Sequence, residues 1–497
     1  MDAAFVKGMG KELKHFVAEF DDCFGRREPR AHLRAYIRGQ LSDLPRKSVE
    51  PIALAAKIPP RTLQWFLNMA AVDDERMRNH VQQIVARDHA DPKAIGIIDE
   101  SGNHKKGRHT ACVKRQWCGN TGKVDNCVVA VHLGYAAGDF ECLLDSDLFL
   151  PQEWANDPQR RAEVGVPEDV VFRTKPQIAL AQVGRALRNG IRVSAWTFDE
   201  TYGRGAAFLD GMDALGQNYV GEIPSDFYGW AQQPRVLSGP RPEEQRRKGR
   251  KRRYPRVARK SSQACAVNNL ATYSPVFSKQ KWQRYRIKDG DKGPMVWEVK
   301  YCHFWRKHGD GLPGPTHTLI VARNVSNPDE VKYFLSNLVV GSGGVSLEWL
   351  LWVAFCRWPI ERCFQVAKTE LGMDHFEVRS WRGIHRHLYI SQLSQLFCAR
   401  VHQRLREKND RDHVPDRGAS ANGGLGLGGG AVQALRRPAK HLPGRGRQDR
   451  LLPDAQPGGP GFPYQSDGRP PAGDGHRCWS TTVLYSRKSM SEVALSC

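Results

Sequence analysis

RWPIERCFQVAKTELGMDHFEVRSW, residues 357–381, is the stretch whose reading decides the rest. Arg357 precedes Glu361 by four positions and Lys368 follows it by seven. On a continuous helix, positions 357, 361, 364 and 368 share one face, so cation, carboxylate, aromatic ring and cation line up. Pro359 suits the first turn of a helix. Two readings follow: a continuous helix that includes Arg357, or one that starts or kinks at Pro359 and leaves Arg357 just outside. By itself the pattern reads either as a surface Arg–Glu pair, worth a few tenths of a kcal/mol, or as a carboxylate held among cations for chemistry.

Two further acids close apolar runs upstream. AIGIID, 94–99, predicts a short strand ending on Asp99, and RVSAWTFDETYG, 192–203, a strand ending on Asp199. Between them VKRQWCG and NCVVAVHLGY read as strands separated by the turn GNTGKVD, and PQIALAQVGRALRNG, 176–190, as an amphipathic helix closed by Gly190. An acid at a buried strand end costs desolvation, and a bound cation is the usual compensation. For either aspartate alone an ordinary turn residue is the competing reading. Glu100 and Glu200 follow each aspartate directly, so strand alternation turns them to the opposite side.

Together these segments resemble insertion-sequence transposases of the DDE superfamily. In one large class of these the third acid lies in a Tyr-x2-Arg-x3-Glu-x6-Lys signature. Arg357, Glu361 and Lys368 match it, whereas the Tyr position falls on Ala354. The run IIDESGNHKKGRHTACVKRQWCGNTGKVDN resembles the first-acid region and FDETYG the second-acid region. The resemblance spans about 90 to 405. It implies an α/β, RNase H-like core with a mainly β insertion, and Asp99, Asp199 and Glu361 as catalytic and metal-binding residues. It also implies Mg²⁺ or Mn²⁺, as two ions, and DNA contacts from Arg357, Lys368, Lys105 and Lys106. The implied partners are double-stranded DNA, as terminal inverted repeats and target, and a second copy of the chain on paired ends.

Composition agrees with a polyanionic partner. Lys plus Arg number 75 against 53 for Asp plus Glu, a net charge of +22. The 12 cysteines show no CxxC pair or Cys/His ladder with zinc spacing, which reads as reduced thiols in a cytoplasmic protein. The N-terminus lacks the apolar core of a signal peptide. VSLEWLLWVAF, 345–355, is too short to span a bilayer. No Ser-His-Asp order or GxxxxGK[ST] loop accompanies the acids, which disfavours acyl transfer and ATP-driven chemistry.

The remaining chain divides by pattern. Residues 1–90 read as helical and DNA-binding. VEPIALAAKI and PPRTLQWFLNMA, joined at KIPP, fit a helix-turn-helix and a plain bundle equally. The core then runs 91–204 and 345–405, interrupted by a mainly β insertion at 205–344, because about 160 residues between Asp199 and Glu361 are too many for a loop. Inside it, 241–260 holds 11 Lys/Arg against two Glu and reads as a basic linker. Tyr228 and Trp230 suit either base stacking or a core. Residues 406–497, rich in Gly, Pro and Arg, read as disordered or as the product of a frameshift near 410–420, since a one-base shift can restore a basic tail like that of these transposases. Three functions stay open at this point: a transposase, a decayed transposase that only binds DNA, and an RNase H-like nuclease without strand transfer.

Overall fold

The computed structural model describes residues 3–239, 254–290 and 293–412. Most of the basic run 241–260 and nearly all of the 406–497 tail lie outside the described residues.

The first apolar run forms β1, Ile95–His104, whose Ile95, Ile97 and Ile98 are fully buried. It pairs antiparallel with β3, Lys123–Ala137, Asp99 facing His132. The edge strand β2, Lys114–Cys118, covers the start of β3, and β4, Phe140–Leu148, covers its end. On the other side of β1 lie β5, Ala195–Phe198, and β6, Tyr219–Ile223, both parallel. The order β4-β3-β1-β5-β6 thus has three antiparallel strands followed by two parallel ones.

The sheet does not stop at β6. Strand β14, Val331–Ser336, pairs with it antiparallel and continues through β13, Pro313–Asn324, to β12, Gly293–Lys307. β12 also carries β11, Gln283–Gly290, and β7, Tyr228–Trp230, which in turn pairs with β10, Cys265–Ala266. Strands from 205–344 therefore extend the same hydrogen-bonded sheet. Trp230 is buried and its indole N–H donates to Ser262 O at 2.9 Å, while Tyr228 is exposed.

Helices pack on this sheet. Lys175–Arg188 opens with a capping box in which Thr174 and Gln177 satisfy each other's backbone. The N-terminal helices Arg27–Leu41, Pro60–Asn68 and Asp74–Asp88 contact the long C-terminal helix Trp381–Asp412, and Val49–Ala55 packs between the first two. Tyr36 OH lies 2.9 Å from His387 Nδ1, Gln40 donates to Ser391 at 2.8 Å, and buried Arg386 grips Asp74 through two 2.8 Å hydrogen bonds. Removing one member of such a buried pair leaves the other charge uncompensated. Val49–Ala55 and Pro60–Asn68 meet at the predicted KIPP turn, where Lys57 takes φ 54°. No described helix is long and apolar enough to cross a membrane.

Two glycines allow the parallel strands to approach their covering side chains. A Cβ on Gly96 would stand 2.2 Å from the ring of Trp196, which is fully buried, and one on Gly221 would stand 1.9 Å from Phe198. Overpacking of this kind typically costs 1–3 kcal/mol. Gly96→Ala is expected to destabilise the chain by at least about 2 kcal/mol in urea unfolding, whereas Gly107→Ala, with open space around it, should leave the midpoint unchanged.

Candidate active site

Strand register brings the acids together. Ile98 pairs with Phe198 and Phe198 with Gly221, so the next residues, Asp99, Asp199 and Glu222, stand level on three adjacent parallel strands. The strand expected to end on Asp99 instead runs on to His104, because residues 100–104 keep their pairing with β3. Residues level on neighbouring strands face the same side of a sheet. Glu222 was not singled out from the sequence, because YVGEI reads as an ordinary strand. Its signal is visible only once β6 is placed beside β5.

Glu361 reaches the same place from above. Helix Trp358–Thr369 carries Pro359 in its first turn, with Arg357 at the N-cap position just outside. Ile360, Cys363, Phe364 and Ala367 repeat at helical spacing and are buried. Ile360 seats over Gly134 of β3, and Phe364 meets His132 edge-on at 4.9 Å between ring centroids. That seating leaves Glu361 at the rim, its side chain 62% exposed.

Arg357 joins these groups. Its Nε lies 4.0 Å from Asp99 Oδ2, Nη1 3.8 Å from Glu222 Oε2 and Nη2 3.8 Å from Glu361 Oε1. Four carboxylates, Asp199 included, raise its pKa against the opposing effect of burial. Asp99 is pushed up to about 7, chiefly by burial and further by Asp199, while Arg357 works the other way. Asp99 Oδ1 accepts from Glu100 N at 2.8 Å, and Asp199 Oδ1 accepts from Thr201 N at 3.0 Å. On the opposite side of β1, Glu100 is held by Lys175 and by the Tyr202 hydroxyl. Glu222 also pairs with Lys332 at 3.1 Å.

The other expected cations sit beyond Asp99. Lys368 Nζ lies 3.5 Å from Gly102 O and 5.9 Å from the centre of the Phe364 ring, and burial lowers its pKa. Lys105 turns inward, donating to Phe376 O at 2.8 Å over the Phe376 ring, and burial lowers it to about 8. Lys106 is exposed in the following turn. Ser101 and Asn103 alternate with Asp99 along β1 and are buried, and the Ser101 hydroxyl and both Asn103 amide atoms lack a hydrogen-bond partner among the described residues. Position 354 carries a buried alanine.

The donor chemistry suits a hard divalent cation. Carboxylate oxygens are the ligands that Mg²⁺ and Mn²⁺ prefer, and a cation beside Asp99 would offset its desolvation. A guanidinium already stands among these acids, which shows that the cluster accommodates positive charge. The side chains of Asp99, Asp199 and Glu361 do not form a tight ligand set as they stand. Among the described residues, the group whose ligating atoms lie within 4.8 Å of one another is Asp22, Cys23 and His80, in the helical N-terminal region. There Arg76 approaches Asp22 at 3.4 Å, and the Cys23 thiol is pushed up to about 12, mainly by burial.

Comparison with known proteins bears on the same residues. Over 193 residues the chain is 33% identical to the "Probable transposase for insertion sequence element IS701" of Microchaete diplosiphon, an alignment covering 38% of this chain and 48% of that protein. The chain thus spans about half the length of the curated relative it matches. Residues 19–294, more than half of the chain, match the family described as DDE superfamily endonuclease. The match takes in Asp99, Asp199 and Glu222 and ends before Glu361. With its acids level on parallel strands and this match across them, the chain belongs to the DDE superfamily endonucleases.

Proposed function

We propose that the chain is a DNA transposase that cleaves transposon ends and joins the freed 3′-hydroxyl to target DNA. The observation that carries this reading is the level placement of Asp99, Asp199 and Glu222, with Glu361 reaching them through Arg357. The strand order β4-β3-β1-β5-β6 supports an RNase H-like core, and the IS701 relative supports transposition over simple nuclease action. In this reading the core is 91–204 with β6, and 345–405, the rest of the 205–344 segment is its insertion, and the 1–90 helices contact DNA.

Asp99, Asp199 and Glu361 would hold divalent metal, with Glu222 beside them as a fourth carboxylate. When bound, two such ions stabilise the attacking and leaving oxygens of an in-line displacement. The chain's own groups have separate tasks. Thr201 orients Asp199, the Glu100 amide orients Asp99, and Arg357 holds Asp99, Glu222 and Glu361 in one cluster. Lys368 and Lys106 supply positive charge for the flanking phosphates. In the first step a water oxygen bonds to phosphorus as the 3′-oxygen leaves and takes up a proton. In the second, that 3′-hydroxyl bonds to a target phosphorus, gives up its proton, and displaces a target 3′-oxygen. Each step forms one P–O bond and breaks one, so no nucleotide cofactor is consumed. Paired ends require two active sites, which implies a homodimer.

Glu361→Gln is expected to lower nicking and joining by roughly a thousandfold, the scale of losing one electrostatic contact to a reacting group, while binding to end DNA persists. Loss of only an Arg357 pair at an exposed position would cost at most about 1 kcal/mol. Near-parental cleavage by the variant in Mg²⁺ would therefore remove Glu361 from the site.

The pKa of Asp99 gives a test that does not need activity. Its folded value, about 7, exceeds its ordinary value of 3.8, so the stability associated with the neutral carboxyl is fully present below 3.8 and is lost as pH rises through 7. In chelator-treated protein Asp99→Asn should raise Tm at pH 8 and leave it unchanged near pH 3.5. Mg²⁺ should raise the Tm of the parent at pH 8 more than that of the variant, because a ligand stabilises the state that binds it. Equal Mg²⁺ shifts in both proteins would separate Asp99 from the metal.

A further inference from the structure

The turn Asp21–Cys23 and the helix Asp74–Asp88 bring three unlike ligand types together, none of them among the four acids. Cys23 Sγ lies 3.7 Å from Asp22 Oδ1, which lies 3.6 Å from His80 Nδ1. All three atoms fall within 4.8 Å of one another. Around a tetrahedral Zn²⁺, bonds of about 2.3 Å to sulfur and about 2.0–2.1 Å to nitrogen and oxygen set neighbouring ligand atoms roughly 3.3–3.6 Å apart. The Sγ–Oδ1 and Oδ1–Nδ1 edges exceed those values by only a few tenths of an ångström. A thiolate and an imidazole select Zn²⁺ over Mg²⁺, which takes oxygen ligands. Cys23 and His80 are far apart in the chain, so residue spacing does not show this grouping.

The grouping is held by its surroundings. Asp73 N donates to Cys23 O at 2.9 Å, and Phe24 bridges Val72, so the turn is clamped to the start of the helix. Asp73 caps that helix by accepting from Arg76 N at 2.9 Å. Arg76 Nη1 approaches Asp22 Oδ2 at 3.4 Å, which leaves the other oxygen, Oδ1, facing Cys23 and His80. A partner of this kind, one shell out, orients a metal ligand. His80 follows Arg76 by four positions and therefore shares its helix face. His80 Nδ1 also lies 3.2 Å from Glu19 O, and a carbonyl only accepts, so Nδ1 carries the proton in this state. Metal binding moves that proton to Nε2 and releases the thiol proton of Cys23. Cys23 is buried whereas the Asp22 side chain is 52% exposed, so an ion enters from the Asp22 side and keeps a water as its fourth ligand.

We propose that Asp22, Cys23 and His80 bind one Zn²⁺ that ties the Asp21–Cys23 turn to the Asp74–Asp88 helix. That helix is itself fixed to the rest of the fold. Asp74 accepts from Arg386 at 2.8 Å, and Gln82 donates to Leu144 O at 3.2 Å and to Asp145 Oδ2 at 3.1 Å. The ion thus adds a link between the N-terminal region and the elements that carry the acids. It is a separate site from the one at Asp99, Asp199, Glu222 and Glu361, and it does not depend on the transposase reading.

The test uses the full-length protein, reduced, freed of metal and kept in excess Mg²⁺ so that all-oxygen sites are filled. Adding Co²⁺, which takes the same nitrogen, oxygen and sulfur ligands, is expected to give a thiolate-to-cobalt charge-transfer band in the near ultraviolet. Zn²⁺ should then bleach it. Cys23→Ser should remove the band. His80→Ala and Asp22→Ala should each weaken Co²⁺ binding more than about tenfold, since even an outer-shell partner is worth that much. Asp22 is exposed, so its variant reports on the site even where a buried serine at position 23 disturbs packing. Without metal, Asp22→Ala should unfold near the parental Tm, and Zn²⁺ should raise the Tm of the parent more than that of the variant. No band in the parent overturns the site. A parental band in Cys23→Ser overturns it too, because another cysteine then supplies the thiolate. Parental Co²⁺ affinity in both His80→Ala and Asp22→Ala, or equal Zn²⁺ shifts in parent and Asp22→Ala, also overturns it.

Discussion

Three adjacent parallel strands that carry carboxylates level with one another impose an electrostatic problem on everything around them. Asp99 is buried beside a second carboxylate, Asp199, and a cation is what offsets the cost of its charge there. In this structure the cation is Arg357, within 4.0 Å of Asp99 and 3.8 Å of both Glu222 and Glu361. It stands at the N-cap of the helix Trp358–Thr369, whose first turn holds Pro359. The same arrangement explains why Glu361 is exposed while its helical neighbours are buried. It belongs to the rim of a charged cleft, and Ile360, Cys363, Phe364 and Ala367 hold it there.

The support for this cleft is unusually polar. β4 carries Asp145 and Asp147 in the core, the first paired with Arg185 and the second with His385 at 3.1 Å and Arg173 at 3.1 Å. His132, the partner of Asp99, lies 2.6 Å from Ser146, whose hydroxyl also accepts from Gln392 on the C-terminal helix. Burial drives His132 down to about 3, so it stays neutral at physiological pH and adds no charge beside Asp99. Asp145 Oδ1, His132 Nε2 and Gln392 Oε1 lack a hydrogen-bond partner among the described residues. Buried pairs of this sort fix register more than they stabilise. Here they lock β3 and β4 between the helix bearing Glu361 and the helices of the N-terminal region.

The sequence made some of this legible and concealed the rest for physical reasons. β1 and β5 were readable because each holds an apolar run that leads to an acid, although β1 continues past Asp99 to His104, and the Lys175–Arg188 helix because its apolar period and Thr174 cap agree. β4 was not, since FECLLDSDL places two aspartates where a strand reader expects apolar residues; only their buried partners, distant in sequence, make the strand possible. Glu222 was hidden for a related reason. A lone acid in YVGEI has no meaning until parallel pairing sets it beside Asp199. The inward turn of Lys105 depended on Phe376, 271 residues away. Local pattern, read through the family resemblance, made candidates of the acids at 99, 199 and 361, whereas their company required long-range pairing.

The central claim is that divalent metal binds at these acids. Replacing Mg²⁺ by Fe²⁺, which accepts the same oxygen ligands, and adding ascorbate and peroxide generates hydroxyl radicals that cut the polypeptide beside the bound ion. Fragment mapping of the full-length protein should show cuts at or next to Asp99, Asp199, Glu222 and Glu361, all suppressed by excess Mg²⁺. Cuts confined to the neighbourhood of Asp22, Cys23 and His80, with none near the four acids, would contradict the account.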